Sequence, residues 1–161
     1  MTKAIPPNAP DPRGKAVDLR MWVYSDHAGE KVTRQSSTGY LIFLNTALIN
    51  WLSKKQATIE GSVFGAEFVA MKTGVEALRG IRYKMLMMGV PLIGPTYVYG
   101  DNMSVIYNTS RPESTLKNKS NLFFYHAVRE SVASGKCLTT HCKNGDNYSD
   151  MMTKVLYGKK K

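Results

Sequence analysis

From Ser62 onward, apolar side chains recur at Phe64, Phe68, Met71, Val75, Leu78 and Met85, a spacing built from threes and fours, and the three runs before it alternate instead. The first pattern is that of a long amphipathic helix and the second that of strands. Ser62 is placed to cap the helix. In the leading run, Leu19, Met21 and Val23 share one face, while Trp22, Tyr24 and Asp26 share the other. The next runs, TGYLIFLN and ALINWLSKKQ, are separated by almost nothing, so the three strands form an antiparallel meander. Gly65, Gly74 and Gly80 each weaken the helix, which implies close packing or a bend near Gly80.

After the helix, TYVYG is a brief strand running into Asp101, and a short helix follows that breaks near Pro112. The polar connection RPESTLKNKS leads to a helix over Asn121–Ser134, closed by Gly135. KCLTTHC reads as the last strand, KNGDN as its turn and YSDMMTKVLY as the last helix. The order is β β β α β α α β α. Right-handed crossovers then set strands four and five beside strand one, in a five-stranded mixed sheet with helices on both faces.

The length of 161 residues suits one core, expected over 19–157, with 1–18 as a linker and 158–161 as a basic tail. MTKAIPPNAPDPRGK has no apolar h-region, and no apolar run approaches the roughly 20 residues of a membrane span, so a soluble protein is expected. With 22 basic against 12 acidic residues, the net charge of +10 favours a polyanion, nucleic acid first, as partner. Cys137 and Cys142 lie on one strand roughly 16 Å apart, too far for a disulfide, which points to a reducing compartment.

Ligand sites in such sheets form at the carboxyl ends of strands. Asp26 closes strand one, Asp101 closes strand four, Glu67 lies on the crossing helix and Asp150 opens the final helix. If the four converge, their repulsion calls for cations, and oxygen donors alone favour Mg²⁺ or Mn²⁺. Two such ions about 3.5–4 Å apart would support phosphodiester hydrolysis. Each acid also has a structural reading: Asp101 and Asp150 as helix caps, Glu67 as a solvated side chain, Asp26 as the start of a turn.

Taken together, SDHAGEKVTRQSSTGYLIFLN, INWLSKKQATIEGSVFGAEFVAM, YVYGDN and NYSDMMTK resemble the ribonuclease H domain of Ty1/copia-type LTR retrotransposon polyproteins, over about Val17–Leu156. The resemblance implies the ribonuclease H-like three-layer α/β fold and Mg²⁺-dependent cleavage, with two ions, of the RNA strand of an RNA–DNA hybrid. It puts Glu67, Asp101 and Asp150 on catalytic, metal-holding acids. An ungapped comparison puts Tyr24 on the first catalytic aspartate and Asp26 on the pattern's second acidic position, two residues on, whereas a two-residue deletion makes Asp26 the ligand; the role is assigned to Asp26. The final turn, HCKNGDNYSD, lacks the family's proline and alanine, and Lys143, Asn144 and Gly145 stand where cellular relatives carry a histidine.

Lys54, Lys55, Lys117 and Lys119 are the candidate contacts to hybrid phosphates. The resemblance further implies a reverse transcriptase domain in the same polyprotein as a neighbour, a monomer when isolated, and residence in cytoplasmic retrotransposon particles or the nucleus. Two rivals remain: a hybrid-binding relic whose turnover is impaired through Tyr24, and another nuclease or integrase core. The position of Glu67 on the first helix speaks against the second.

Overall fold

The computed structural model describes residues 5–28, 32–115 and 121–153. The expected meander is present as β1 (Leu19–Asp26), β2 (Ser37–Leu44) and β3 (Ala47–Lys55). Leu19, Met21 and Val23 stand opposite Leu44, Ile42 and Tyr40, so one face of the meander is apolar and buried. The β2–β3 connection turns on Asn45 at φ +53°, a left-handed conformation asparagine tolerates, and Asn45 Oδ1 accepts from Asp18 N at 3.0 Å.

Helix α1 (Val63–Met87) lies across that buried face. Ser62 caps it, its Oγ accepting from Gly65 N at 3.1 Å. The helix approaches β1 closely at Gly74, where an added Cβ would meet Met21 Cε at 2.9 Å. β4 (Thr96–Gly100) then runs parallel to β1, α2 (Met103–Ser110) and α3 (Leu122–Ala133) pack beside α1, and β5 (Cys137–His141) lies parallel to β4. The strand order is β3-β2-β1-β4-β5, the mixed sheet the crossovers require. Met21, Val23, Ile42, Phe68, Val98 and Val128 are wholly buried in the core between sheet and helices.

The second face of the sheet carries Trp22, Tyr24, Leu41, Phe43 and Tyr99. Among the described residues its cover is a five-residue 3-10 turn, Tyr148–Met152. A longer helix was expected there; within the described residues Thr153 N and Oγ1 both bond Asp150 O, three residues back, which is 3-10 bonding, and the remainder of YSDMMTKVLY lies outside them.

That turn is held at three points. Tyr148 rests on Trp22 with ring centroids 5.0 Å apart, Asn147 Nδ2 donates to Val23 O at 2.9 Å, and the turn closes on Gly39. A Cβ on Gly39 would stand 2.9 Å from Met152 Cβ and 3.0 Å from Ser149 O, neither of which can swing away. Gly39→Ala is therefore expected to lift the turn and destabilise the fold by about 1–3 kcal/mol. Gly80, with nothing within 4 Å of a built Cβ, is the control: Gly80→Ala in the interior of α1 should stabilise by about 0.5–1 kcal/mol. Paired thermal melts of the two variants read both signs.

Candidate acidic site

Glu67 sits in the second turn of α1 and is 5% exposed, which removes its reading as a solvated side chain. Its Oε1 accepts from Ser25 N on β1 at 3.0 Å. Gln56, equally buried just past β3, fixes this junction. Its Nε2 lies 3.3 Å from Ser25 Oγ, 3.0 Å from Thr38 Oγ1 and 2.9 Å from Ala66 O, so one amide ties β1, β2 and α1 together beside Glu67.

The two aspartates thought capable of capping are not the caps. Asn102 Oδ1 accepts from Ser104 N and Val105 N at 3.0 and 3.2 Å and so caps α2. Asn147 Oδ1 does the same for the 3-10 turn, from Ser149 N at 3.1 Å. Asp101 follows directly after β4, and Asp150 lies within the turn.

The charges of these acids act on one another. Burial, then the charge of Asp101, pushes Glu67 up from its ordinary 4.5 to about 8, against the Ser25 hydrogen bond. Burial also raises Asp101; Asp150 adds to the rise, whereas the Asp101 backbone hydrogen bond and nearby His141 lower it. At the centre is Tyr24, whose phenol is held at about 12 by burial and then by Asp150, Asp101, Glu67 and, last, Asp26. Glu67, Asp101 and Asp150 thus all act electrostatically on one β1 side chain, Tyr24. Asp26 lies one pleat beyond, at the pair with Ser37, and is the weakest of the four influences on that phenol.

Among the described residues no three carboxylate, histidine or cysteine side chains are gathered as a ready ligand set for one ion. The donor chemistry nevertheless fits a hard divalent cation: all three acids offer oxygen donors, and burial first, then a neighbouring carboxylate, raises the pKa of Glu67 and Asp101. Lys54 and Lys55 are exposed at the end of β3, while Lys117 and Lys119 lie outside the described residues. His27 Nε2 is 3.1 Å from Glu60 O, a structural contact, and His141 ends β5. Sequence reasoning passed over Gln56 and Asn147, whose only signal is a polar residue beside a motif acid.

The raised Glu67 sets a pH dependence. The folded state holds a proton that the unfolded chain gives up near 4.5, so stability without metal is fullest below that pH and declines until about 8. The loss expected is on the order of 5 kcal/mol. Melting in EDTA at stepped pH should show this decline, with Glu67→Gln flattening it; a flat wild-type profile would remove the buried acid from the account.

The sheet order and the helices packed on it give the ribonuclease H-like fold. The chain is similar to part of the retrovirus-related Pol polyprotein from transposon RE1 of Arabidopsis thaliana, 28% identical over 144 residues covering 89% of the chain. It is likewise similar to that from transposon TNT 1-94 of Nicotiana tabacum, 31% identical over 140 residues covering 86%. These plant transposon polyproteins are its homologues, in keeping with the resemblance to the copia-type ribonuclease H domain, and the chain spans about 10% of the length of each. No protein-family model matches. Among solved structures, the N-terminal RNase H domain of rv2228c from Mycobacterium tuberculosis matches with TM-score 0.66 at 11% identity, covering 86% of this chain and 91% of that one. LC11-RNase H1 in complex with an RNA/DNA hybrid matches with TM-score 0.62 at 13% identity, covering 84% and 93%. At such identities the likeness establishes the fold.

Proposed function

We propose that this domain hydrolyses the RNA strand of RNA–DNA hybrids within a reverse-transcribing polyprotein, at a rate held down by Tyr24. The observation carrying this reading is that the charges of Asp150, Asp101 and Glu67 all bear on the Tyr24 phenol, near the ends of β1 and β4. Support comes also from the homologous Pol polyproteins and from a fold-mate solved with a hybrid.

Glu67, Asp101 and Asp150 would hold the divalent ions. Bound as a pair, Mg²⁺ or Mn²⁺ would activate water and stabilise the leaving oxygen. The chain's own contribution is positional. Ser25 N and the Gln56 network fix Glu67, and Asn147 and Gly39 seat the turn bearing Asp150. Lys54 and Lys55 would take phosphates of the DNA strand. The phenol of Tyr24, uncharged across the physiological range, supplies a weak oxygen donor where a carboxylate would complete the set.

That last feature favours a second reading, a domain that binds hybrids with impaired cleavage. One assay separates them. End-labelled hybrid, single-stranded RNA, duplex RNA and duplex DNA are incubated with Mg²⁺ or Mn²⁺ and wild type or Glu67→Gln. Metal-dependent cutting of the hybrid's RNA strand, lost in Glu67→Gln, supports the nuclease. Tight hybrid binding with no product in either metal leaves the binding relic, and equal cutting by Glu67→Gln would refute the acid cluster.

A further inference from the structure

At the other end of the sheet from the acids, the chain forms an open cleft of about 550 Å³, within the range of small-molecule sites. Its apolar lining comes from Leu86, Val90 and Leu92, at and beyond the end of α1, and from Pro6 and Pro10 of the segment before β1. That segment is fastened there: Arg13 N donates to Gly89 O at 2.7 Å, and Val17 bridges to Leu92. Gly89, at φ +72°, has no Cβ to meet Asp11 O, which stands 3.0 Å from where one would be.

Among the described residues, three cations, Arg79, Arg82 and Lys136, line the same cavity and no aspartate or glutamate does. Arg79 has a carboxylate, Glu130, at 4.0 Å. Arg82 differs. Its guanidinium donates to Thr96 Oγ1 at 2.9 Å and to Gly94 O at 3.1 Å, both uncharged, so a cation drawn partly out of water faces the cavity with no anionic partner among the described residues. Burial depresses its pKa, with only the Cys137 thiol acting the other way.

We infer that this cavity binds a small amphipathic anion, its carboxylate or phosphate head on Arg82 and its alkyl or aryl body against Leu86, Val90, Leu92 and the prolines. The planar guanidinium suits a two-point contact to such a head, and the apolar wall removes the body from water. Thr96, to which Arg82 is anchored, opens β4, whereas Asp101 follows its last residue, so this site is separate from the acidic one and does not depend on the nuclease reading.

The test uses the full chain without divalent ions or nucleic acid. Dodecanoate, dodecyl phosphate and dodecanol, each below its micelle concentration, are titrated while amide NMR shifts are followed. Saturable one-site binding of an anion is expected, with shifts centred on Leu86, Val90 and Leu92. Dodecanol should bind at least tenfold more weakly, and Arg82→Met should erase the difference between anion and alcohol. The tighter of the two anions identifies the head group. The inference is overturned by equal affinity for alcohol and anions, by unsaturable binding, or by shifts centred on Trp22 and Trp51 of the open sheet face. Should Arg82→Met not fold, the anion–alcohol comparison on wild type decides alone.

Discussion

Replacing Tyr24 with aspartate is expected to raise metal-dependent cleavage of a hybrid by about 100-fold, the scale on which one charged group at a reacting centre acts. Tyr24 is the β1 residue lying in the combined field of Asp150, Asp101 and Glu67, and its phenol, held at about 12, stays neutral in the assay. A carboxylate on the same pleat would add the fourth hard anionic donor without moving a strand. Its cost appears when metal is absent. Four like charges in a partly dry pocket repel more than three, so Tyr24→Asp in EDTA should melt below wild type and recover, past it, as Mg²⁺ is added. Tyr24→Phe, which keeps the ring and drops the hydroxyl, should cleave within about twofold of wild type. If Tyr24→Asp changes neither the rate nor the metal dependence of melting, Tyr24 does not stand in a ligand's place.

Asp101→Asn is expected to lower cleavage by about 100- to 1,000-fold, whereas Asp26→Asn should leave it within about threefold. The contrast follows from position. Asp101 acts on both Glu67 and Tyr24, next to β4, while Asp26 is the last and weakest of the influences on Tyr24, a pleat further along β1. Asp101→Asn also carries a stability signature of opposite sign. Removing the charge that ranks behind burial in raising Glu67 brings that group down toward its ordinary range. The metal-free variant should therefore be more stable than wild type near pH 8, where wild-type Glu67 bears its full penalty, and the gain should vanish near pH 4. Loss of cleavage in Asp26→Asn as deep as in Asp101→Asn would make Asp26 a ligand, brought in by a shift of the strand end.

Much of the fold could be read from local patterns. Alternation marked β1 to its last residue, Ser62 capped α1 as its hydroxyl foretold, and Gly135, at φ +68°, closes α3. The final helix was misread in its described part because the YSDMM stretch carries no marker separating 3-10 from α bonding; Asn147, pinned to Val23 across 124 residues, sets that geometry. The cap readings of Asp101 and Asp150 failed for a related reason. In each case a neighbouring asparagine took the cap, and a hydrogen bond made one to three residues away is decided by which side chain the backbone turns inward.

The sequence alone determined the strands, the helices, their order and the acids at the strand ends, because each rests on periodicity and on the handedness of short connections. Tertiary structure decided which β1 side chain feels the charges of Glu67, Asp101 and Asp150 most. Tyr24 and Asp26 point the same way from one strand, and only the depth at which α1 and the 3-10 turn meet that strand, fixed by Gln56, Asn147 and the bare backbone of Gly39, distinguishes them.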